Sequence, residues 1–413
     1  MPADPYPPLS PGALAPPVSS ASSVSSAFSV SSASSVSSAV RSPGVSFAYR
    51  PTRTLHLAAA IDGGEQFEAE YYVELARLAE RGALDFVTLD FPVPDFPAAD
   101  ARVSREARVP RAFREAGEAR DVQDFLSPDG GCLDALGVLA RVAPATDRIG
   151  VVPTVVAAAH GDDPFGLALA VATLDWVSRG RAGWTVTVRP RQADGTPVRT
   201  ATARRRAAER AAERWRATGE IAEAVAAVWD GAGAAAARAP QGRPITAVDA
   251  TEPAARATAA RHADIAFVRA ARPEPAARIR EELRLLAAEA GRDPDRLLVL
   301  AELSVDLGGG ELGPEPGAEI ALVPDGLGGM LFSGGPVDLA ELVADWHYSG
   351  AVDGFHVRPV EPRRDLERFV NGTVALLQHR GLFRSFHPGA TLREHLGLHR
   401  PANRLAVTGG AAS

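Results

Sequence analysis

The chain has 413 residues, of which 46% are hydrophobic, and a formal net charge of −7 at pH 7. This content supports a substantial core in one large barrel or two smaller domains, while the negative charge excludes a general attraction for nucleic acid or anionic membranes. The only cysteine, Cys132, excludes an intrachain disulfide and a cysteine-based metal site. No apolar run reaches the roughly 20 residues that cross a bilayer. We therefore expect cytoplasmic chemistry on a small molecule.

Residues 1–50 differ in composition from the rest of the chain, because they are rich in serine, alanine and proline. The segment 19–30 is followed by a near copy at 31–40. Such a tract cannot bury enough apolar surface to offset its ordering entropy, so it predicts disorder. A targeting role is the alternative, but the tail lacks the basic start of a signal peptide and the arginines of a transit peptide. Residues 408–413 are predicted to be a flexible C-terminus.

After the tail, strand and helix patterns alternate along the chain. The run 149–156 is apolar on both faces, which is typical of a parallel strand covered by helices. A helix is predicted to follow it from Pro164 to Val177, and a longer helix over Arg205–Trp229. Eight strands are expected, at 54–61, 85–90, 149–156, 182–188, 244–248, 264–268, 297–307 and 352–357. Eight strands separated by helices predict an α/β fold, a (β/α)8 TIM barrel over 51–407.

Two stretches do not fit the alternation and are predicted to be insertions into the barrel. Residues 92–128 are rich in proline and then in arginine, and residues 308–335 are rich in glycine and proline. Loops of this length are uncommon unless they act as lids or are disordered. The basic run at 204–206 is interpreted as a solvated face of the long helix, although a phosphate site is the alternative.

In a parallel barrel, functional side chains lie at the carboxyl ends of the strands, and several polar residues follow predicted strands here. Asp90 ends the second strand, although an ordinary loop acid is the alternative. His160 and Thr185 are the weak catalytic candidates. His56 and His160 are lone histidines, so hydrogen bonding in a loop or core is the alternative for each. Asp353 and His356, on the last strand, are assigned to packing.

The fifth predicted strand is followed directly by a helix start, Thr251-Glu-Pro-Ala. Unpaired N–H groups at a helix start attract anions, so this turn is a candidate phosphate site with Thr251 as the contacting residue.

Several motifs, in the right order, resemble bacterial luciferase-like flavin-dependent monooxygenases. The resemblance covers about residue 54 to residue 403 and is closest to the nitrilotriacetate, pristinamycin-synthase and dibenzothiophene-sulfone monooxygenase branch. The motifs are GALDFVTLD, ATDRIGVVPT, LDWVSRGRAGW, ERWRATGEIAEAVAAVWD, AARHADIAF, GRDPDRLLVL, GAVDGFHV and LLQHRGLF followed by TLREHLGL. The resemblance implies a TIM barrel in which reduced FMN, supplied by a separate flavin reductase, reacts with oxygen to oxygenate a small organic substrate. It also implies a homo-oligomer, a dimer or tetramer, without a metal.

Carrying the family's flavin contacts across residue by residue gives four positions in this chain. These are Asp90 after the second strand, Thr154 on the third strand, Trp215 in place of a tyrosine on the long helix, and Thr251 in place of the phosphate-contacting serine. Trp215 keeps a stacking surface but lacks the phenolic oxygen.

Four other positions depart from the family pattern. Ala211 replaces a histidine, Thr185 an asparagine, Leu169 an arginine, and Ala255 the glycine after the phosphate-contacting residue. Two alternatives therefore stay open besides the FMN-dependent monooxygenase. One is a degenerate barrel without catalysis that acts as a binding or structural subunit. The other is a deazaflavin-dependent oxidoreductase.

Overall fold

The computed structural model describes residues 54–62, 69–91, 135–156, 163–188, 200–232, 239–308, 310, 322–326 and 329–402. The tail predicted at 1–50, the insertion predicted at 92–128, the C-terminus predicted at 408–413 and His160 lie outside the described residues.

Eight parallel strands form a closed ring, which confirms the (β/α)8 prediction. Each strand of the ring pairs with its neighbour, and the last one pairs with both the first and the seventh. The strands are β1 (His56–Ala60), β2 (Phe86–Leu89), β3 (Gly150–Val156), β4 (Gly183–Thr187), β5 (Ile245–Asp249), β6 (Ile265–Val268), β7 (Leu298–Asp306), β8 (Val323–Pro324), β9 (Met330–Ser333) and β10 (Gly354–Pro359). Strands β8 and β9 lie outside the ring.

Helices follow the strands and cover the outside of the ring, except the last one, which contributes Leu392 to the apolar layer inside the lower end. They are α1 (Ala69–Arg81), α2 (Ala135–Val142), α3 (Pro164–Val177), α4 (Ala201–Ala227), α5 (Pro253–His262), α6 (Pro273–Glu289), α7 (Pro336–Tyr348), α8 (Pro362–Arg368), α9 (Ala375–His379) and α10 (Leu392–His395). Proline occupies the first turn of α3 and of α5 to α8, where the missing N–H costs no hydrogen bond. Of the helices that the structure describes, none is long and apolar enough to cross a membrane.

The predicted insertion at 308–335 is described only in part, and that part is a short β-hairpin. Strand β8 pairs antiparallel with β9, which in turn pairs parallel with the end of β7, Ser304 lying opposite Leu331. Below that point the pairing of β7 with β6 ends at Ala301. The hairpin therefore extends the sheet beyond the ring, on the side of β7.

The interior of the barrel is layered. Its lower part, towards the amino ends of the strands, is filled by buried apolar side chains: Ala58, Phe86, Val152, Ile245, Ala247, Ile265, Phe267, Leu298 and Leu300, with Leu392, Leu396 and Leu398 from the C-terminal segment. Side chains alternate between the two faces of a strand, so residues two positions further along also point inward. This rule places polar residues above the apolar layer.

Candidate functional site

The upper polar layer is the set of inward-facing polar residues at the carboxyl ends of the strands. It consists of Asp62, Thr88, Asp90, Thr154, Thr185, Asp249, Arg269, Glu302, His356 and Arg358. Three residues predicted from the sequence belong to it, namely Asp90, Thr154 and Thr185. The register of β3 and β4 sets Thr154 directly beside Thr185.

A buried hydrogen-bonded chain crosses this layer between β2, β10 and β7. His356 Nε2 lies 2.8 Å from Thr88 Oγ1, and His356 Nδ1 lies 3.1 Å from Glu302 Oε2. Arg269 Nε donates to the other oxygen of Glu302 at 2.8 Å. Burial opposes the charge of Glu302, but His356, Arg269 and Arg358 outweigh it and hold the pKa of this carboxyl well below its usual range. Glu302 is therefore a fixed anion.

A second group at the mouth joins β1, β2 and β10. Arg358 Nη2 donates to Asp62 Oδ2 at 2.7 Å, and the backbone N–H of Asp90 donates to Asp62 Oδ1 at 2.8 Å. Asp90 reaches the surface, yet the barrel wall surrounds much of its carboxyl. That burial, together with the charge of Asp62, raises the pKa of Asp90 to about 6. Asp90 can therefore take up or release a proton near neutral pH.

Thr185 has a buried hydroxyl without a partner. The residue is 8% exposed, and within the described part of the chain its Oγ1 has no hydrogen bond. A buried polar atom left unpaired costs about 1–3 kcal/mol, so it indicates a polar ligand at that place. The carbonyl and nitrogen atoms along the edge of a flavin ring would satisfy it. The residues at this end of the site, Thr185 and the neighbouring Thr154, therefore fit the ring of a flavin.

The predicted phosphate end is built differently. The hydroxyl oxygen of Thr251 accepts from the backbone N–H of Arg269 at 3.1 Å, and the N-cap of α5 is the next residue, Glu252. Trp215, which is 4% exposed, has its indole Nε1 3.4 Å from Glu252 Oε2. A carboxylate at the helix start repels a phosphate group, so this end does not fit one.

The structure also shows where the other residues that depart from the family pattern lie. Ala211 and Ala255 are buried, and Leu169 is half-buried on α3. The Cβ of Ala255 lies at the buried side of the first turn of α5.

His56, a lone histidine in the sequence, lies at the lower end of the barrel and has a carboxylate partner after all. Its Nδ1 is 3.2 Å from Asp85 Oδ1, which also accepts from Arg384 Nη1 at 2.9 Å. Burial opposes the charge of Asp85, but His56 and Arg384 outweigh it and lower the pKa of Asp85 to about 2. Asp353 also lies at the lower end, bound to Arg280. These groups stabilise the fold away from the mouth.

The sequence pattern missed most of the charged residues of the upper polar layer. The sequence predicts a packing role for His356, and its ring does lie 4.7 Å from that of Phe267, but both of its nitrogens also form contacts within the upper polar layer. The sequence does contain a signal for Glu302. Side chains alternate between the two faces of a strand, so Glu302 shares the inward face with the apolar residues Leu298 and Leu300. Across the described ranges, no group of three or more His, Cys, Asp or Glu side chains is arranged to hold a metal ion.

Comparison with known proteins agrees with this architecture. The family model described as luciferase-like monooxygenase matches residues 116–308. The chain is 25% identical to N-acetyl-S-(2-succino)cysteine monooxygenase of Bacillus subtilis, with 82% of this chain and 91% of that protein covered. It is 23% identical to nitrilotriacetate monooxygenase component A of Aminobacter aminovorans, with 82% and 92% covered.

Among solved structures, the EDTA monooxygenase of Chelativorans sp. BNC1 superimposes with a TM-score of 0.60 at 18% identity. The superposition covers 84% of this chain and 99% of that one, and it shows a shared fold. The family match over 116–308 and two relatives covered over about nine tenths of their length show that this chain is similar to luciferase-like monooxygenases.

Proposed function

We propose that this chain is a flavin-dependent monooxygenase that acts on a small organic molecule at the upper end of the barrel. The observation that carries the proposal is the buried hydroxyl of Thr185, which lacks a partner in the described structure and points into the barrel of a monooxygenase family. A purely structural subunit would have no need for such a group at a barrel mouth.

The ring of the flavin would lie against β3 and β4, with Thr185 and Thr154 as hydrogen-bonding groups and the indole of Trp215 as an apolar wall. When bound, the reduced flavin supplies the electrons for oxygen chemistry. Asp90, whose pKa is raised to about 6, can exchange a proton with a bound ligand near that pH.

The form of the flavin is part of the proposal. The resemblance implies FMN, with deazaflavin as the alternative, and both carry phosphate. The ring end of the site supports a flavin, whereas Glu252 at the start of α5 disfavours a phosphate. A flavin is therefore proposed without its phosphate being assumed.

Two partners complete the proposal. A relative is named as component A of a monooxygenase, which supports a separate reductase as the source of reduced flavin. A homo-oligomer, dimer or tetramer, is supported by three large apolar side chains that α3 exposes, Phe165, Trp176 and Val177. Size-exclusion chromatography with light scattering tests the assembly.

The test of the function is a titration of the purified full-length chain with oxidised and photoreduced flavins, followed by flavin fluorescence. We expect quenching, and we expect Thr185→Val to weaken binding by roughly fivefold to tenfold because a hydrogen bond to the ring is lost.

Thr173→Val is the matched control, since the hydroxyl of Thr173 donates within α3 to the Leu169 carbonyl and lies outside the upper polar layer. The enzyme proposal is wrong if high micromolar protein does not quench flavin fluorescence and no turnover depends on an added flavin reductase. The chain would then be a binding or structural subunit.

A further inference from the structure

The start of helix α5 has few backbone donors left for an anion. The N–H of Thr251 donates to Asp249 Oδ1 at 3.0 Å, and the N–H of Ala255 donates to the carbonyl of Glu252 at 2.9 Å. Pro253 has no N–H at all. Anion sites at helix starts depend on several such donors pointing at the ligand. At the start of α5, residues 251, 253 and 255 therefore have no free backbone N–H group to donate to an anion.

Two carboxylates lie at the same place. Glu252 is the N-cap of α5, and its Oε2 lies within reach of the Trp215 indole N–H at 3.4 Å. Asp249, at the end of β5, is three residues earlier and holds the intervening turn. A phosphate monoester carries a charge of about −1.5 to −2 near neutral pH, so Glu252 repels it, whereas the charge of Asp249 is balanced by Arg269.

The arginines whose contacts place them at this end are already matched by carboxylates. Arg256 Nη1 donates to Glu282 Oε2 at 2.6 Å, and its Nη2 donates to the carbonyl of Thr251 at 3.3 Å. Arg269 Nη2 lies 2.9 Å from Asp249 Oδ2 and 2.7 Å from Glu302 Oε1. Neither guanidinium can turn to an added phosphate without leaving a carboxylate unpaired.

We propose that this chain selects its flavin without the terminal phosphate, as riboflavin, and that Glu252 is the residue that sets this selectivity. Carboxylate oxygens are strong acceptors for hydroxyl groups, so Glu252 and Asp249 would receive hydrogen bonds from the ribityl chain. The proposal rests on the proposed function in one respect, that the cofactor is a flavin.

The experiment compares riboflavin with FMN on the full-length chain by fluorescence titration at low and at high salt. We expect riboflavin to bind roughly tenfold more tightly than FMN at low salt, and the ratio to shrink as salt screens the repulsion. Glu252→Gln should strengthen FMN binding severalfold and change riboflavin binding little. The control is Glu281→Gln, which removes an exposed carboxylate of α6 and should leave the ratio unchanged.

The possible outcomes separate the two proposals. Tighter binding of FMN than of riboflavin by the wild-type chain, or an unchanged ratio in a folded Glu252→Gln variant, overturns the phosphate selectivity and leaves the flavin-dependent function standing. Binding of neither flavin overturns the proposed function, and the selectivity with it. Circular dichroism of each variant confirms that the comparison is between folded proteins.

Discussion

At the lower end of the barrel, Arg181 donates five hydrogen bonds, four of them to backbone carbonyls and one to Thr146 Oγ1. At the upper end, Thr185 has a buried hydroxyl with no partner in the described structure, and the pKa of Asp90 is raised to about 6. In contrast, the pKa of Asp85 at the lower end is lowered to about 2. Paired groups such as Arg181 and Asp85 stabilise the lower end, whereas Thr185 and Asp90 at the upper end are groups that a ligand can satisfy.

The largest expected effect lies at the lower end. Arg181 is 2% exposed, and Arg181→Met leaves the carbonyls of Ala143, Thr146 and Ile149 buried without their donors. We expect the free energy of unfolding to fall by about 3–5 kcal/mol, measured by chemical denaturation without ligand.

The control for that change is Arg141→Met, at an exposed arginine in the last turn of α2. It should shift the free energy of unfolding by less than about 0.5 kcal/mol. Equal effects of the two substitutions would show that the buried network at the lower end is not what stabilises it.

The next effect concerns the part of the upper polar layer that is paired. Glu302→Gln removes the carboxylate that binds His356 and Arg269, so we expect a loss of about 3 kcal/mol at neutral pH. Because the pKa of Glu302 is lowered by folding, its contribution is present above the usual value of 4.5 and is lost as the pH falls further. The stability difference from wild type should therefore shrink in acid.

Denaturation curves at several pH values check this expectation, with Glu289→Gln, an exposed residue of α6, as the control. A difference that stays constant from neutral to strongly acidic pH would contradict a charged Glu302 in the folded chain.

Substitution of the unpaired Thr185 in the upper polar layer should have the opposite effect on the free energy of unfolding. Thr185→Val removes a hydroxyl that has no partner in the described structure, so we expect the ligand-free chain to be unchanged or more stable by up to about 1 kcal/mol. Thermal unfolding without flavin measures this. A clear loss of stability would show that the hydroxyl already has a protein partner.

The smallest effect is a pH dependence at Asp90, because solvent screens this exposed carboxyl. Folding raises the pKa of Asp90 from 3.8 to about 6, so its ionisation costs stability as the pH rises through that interval. Asp90→Asn removes this cost. The variant should therefore gain in Tm relative to wild type between pH 4 and about 6, and then keep the gain.

Asp345→Asn, on the exposed side of α7, serves as the control and should show no such trend. A Tm difference for Asp90→Asn that does not change with pH would contradict the raised pKa.

The ring of strands could be predicted because each strand is a short run of apolar, often β-branched residues between turn signals. The inward polar positions were predictable in part by alternation, as Asp90, Thr154 and Thr185 show. The pairings could not be predicted, because Thr88 and His356 are 268 residues apart and no local pattern joins them. The start of α5 was predictable in principle, since Pro253 in the first turn indicates that Glu252, not Thr251, is the N-cap.

The residues that select a ligand can also lie outside the ring. Strand β7 pairs with β6 as far as Ala301 and with β9 from Ser304 onward, along the edge that β6 has left. The β8–β9 hairpin therefore extends the rim of the barrel on the side of β7. The ring closes without it, because β10 pairs with both β1 and β7. Exchanging this hairpin between relatives should alter which molecules the mouth admits while the barrel folds as before, so the rim and the scaffold can evolve separately.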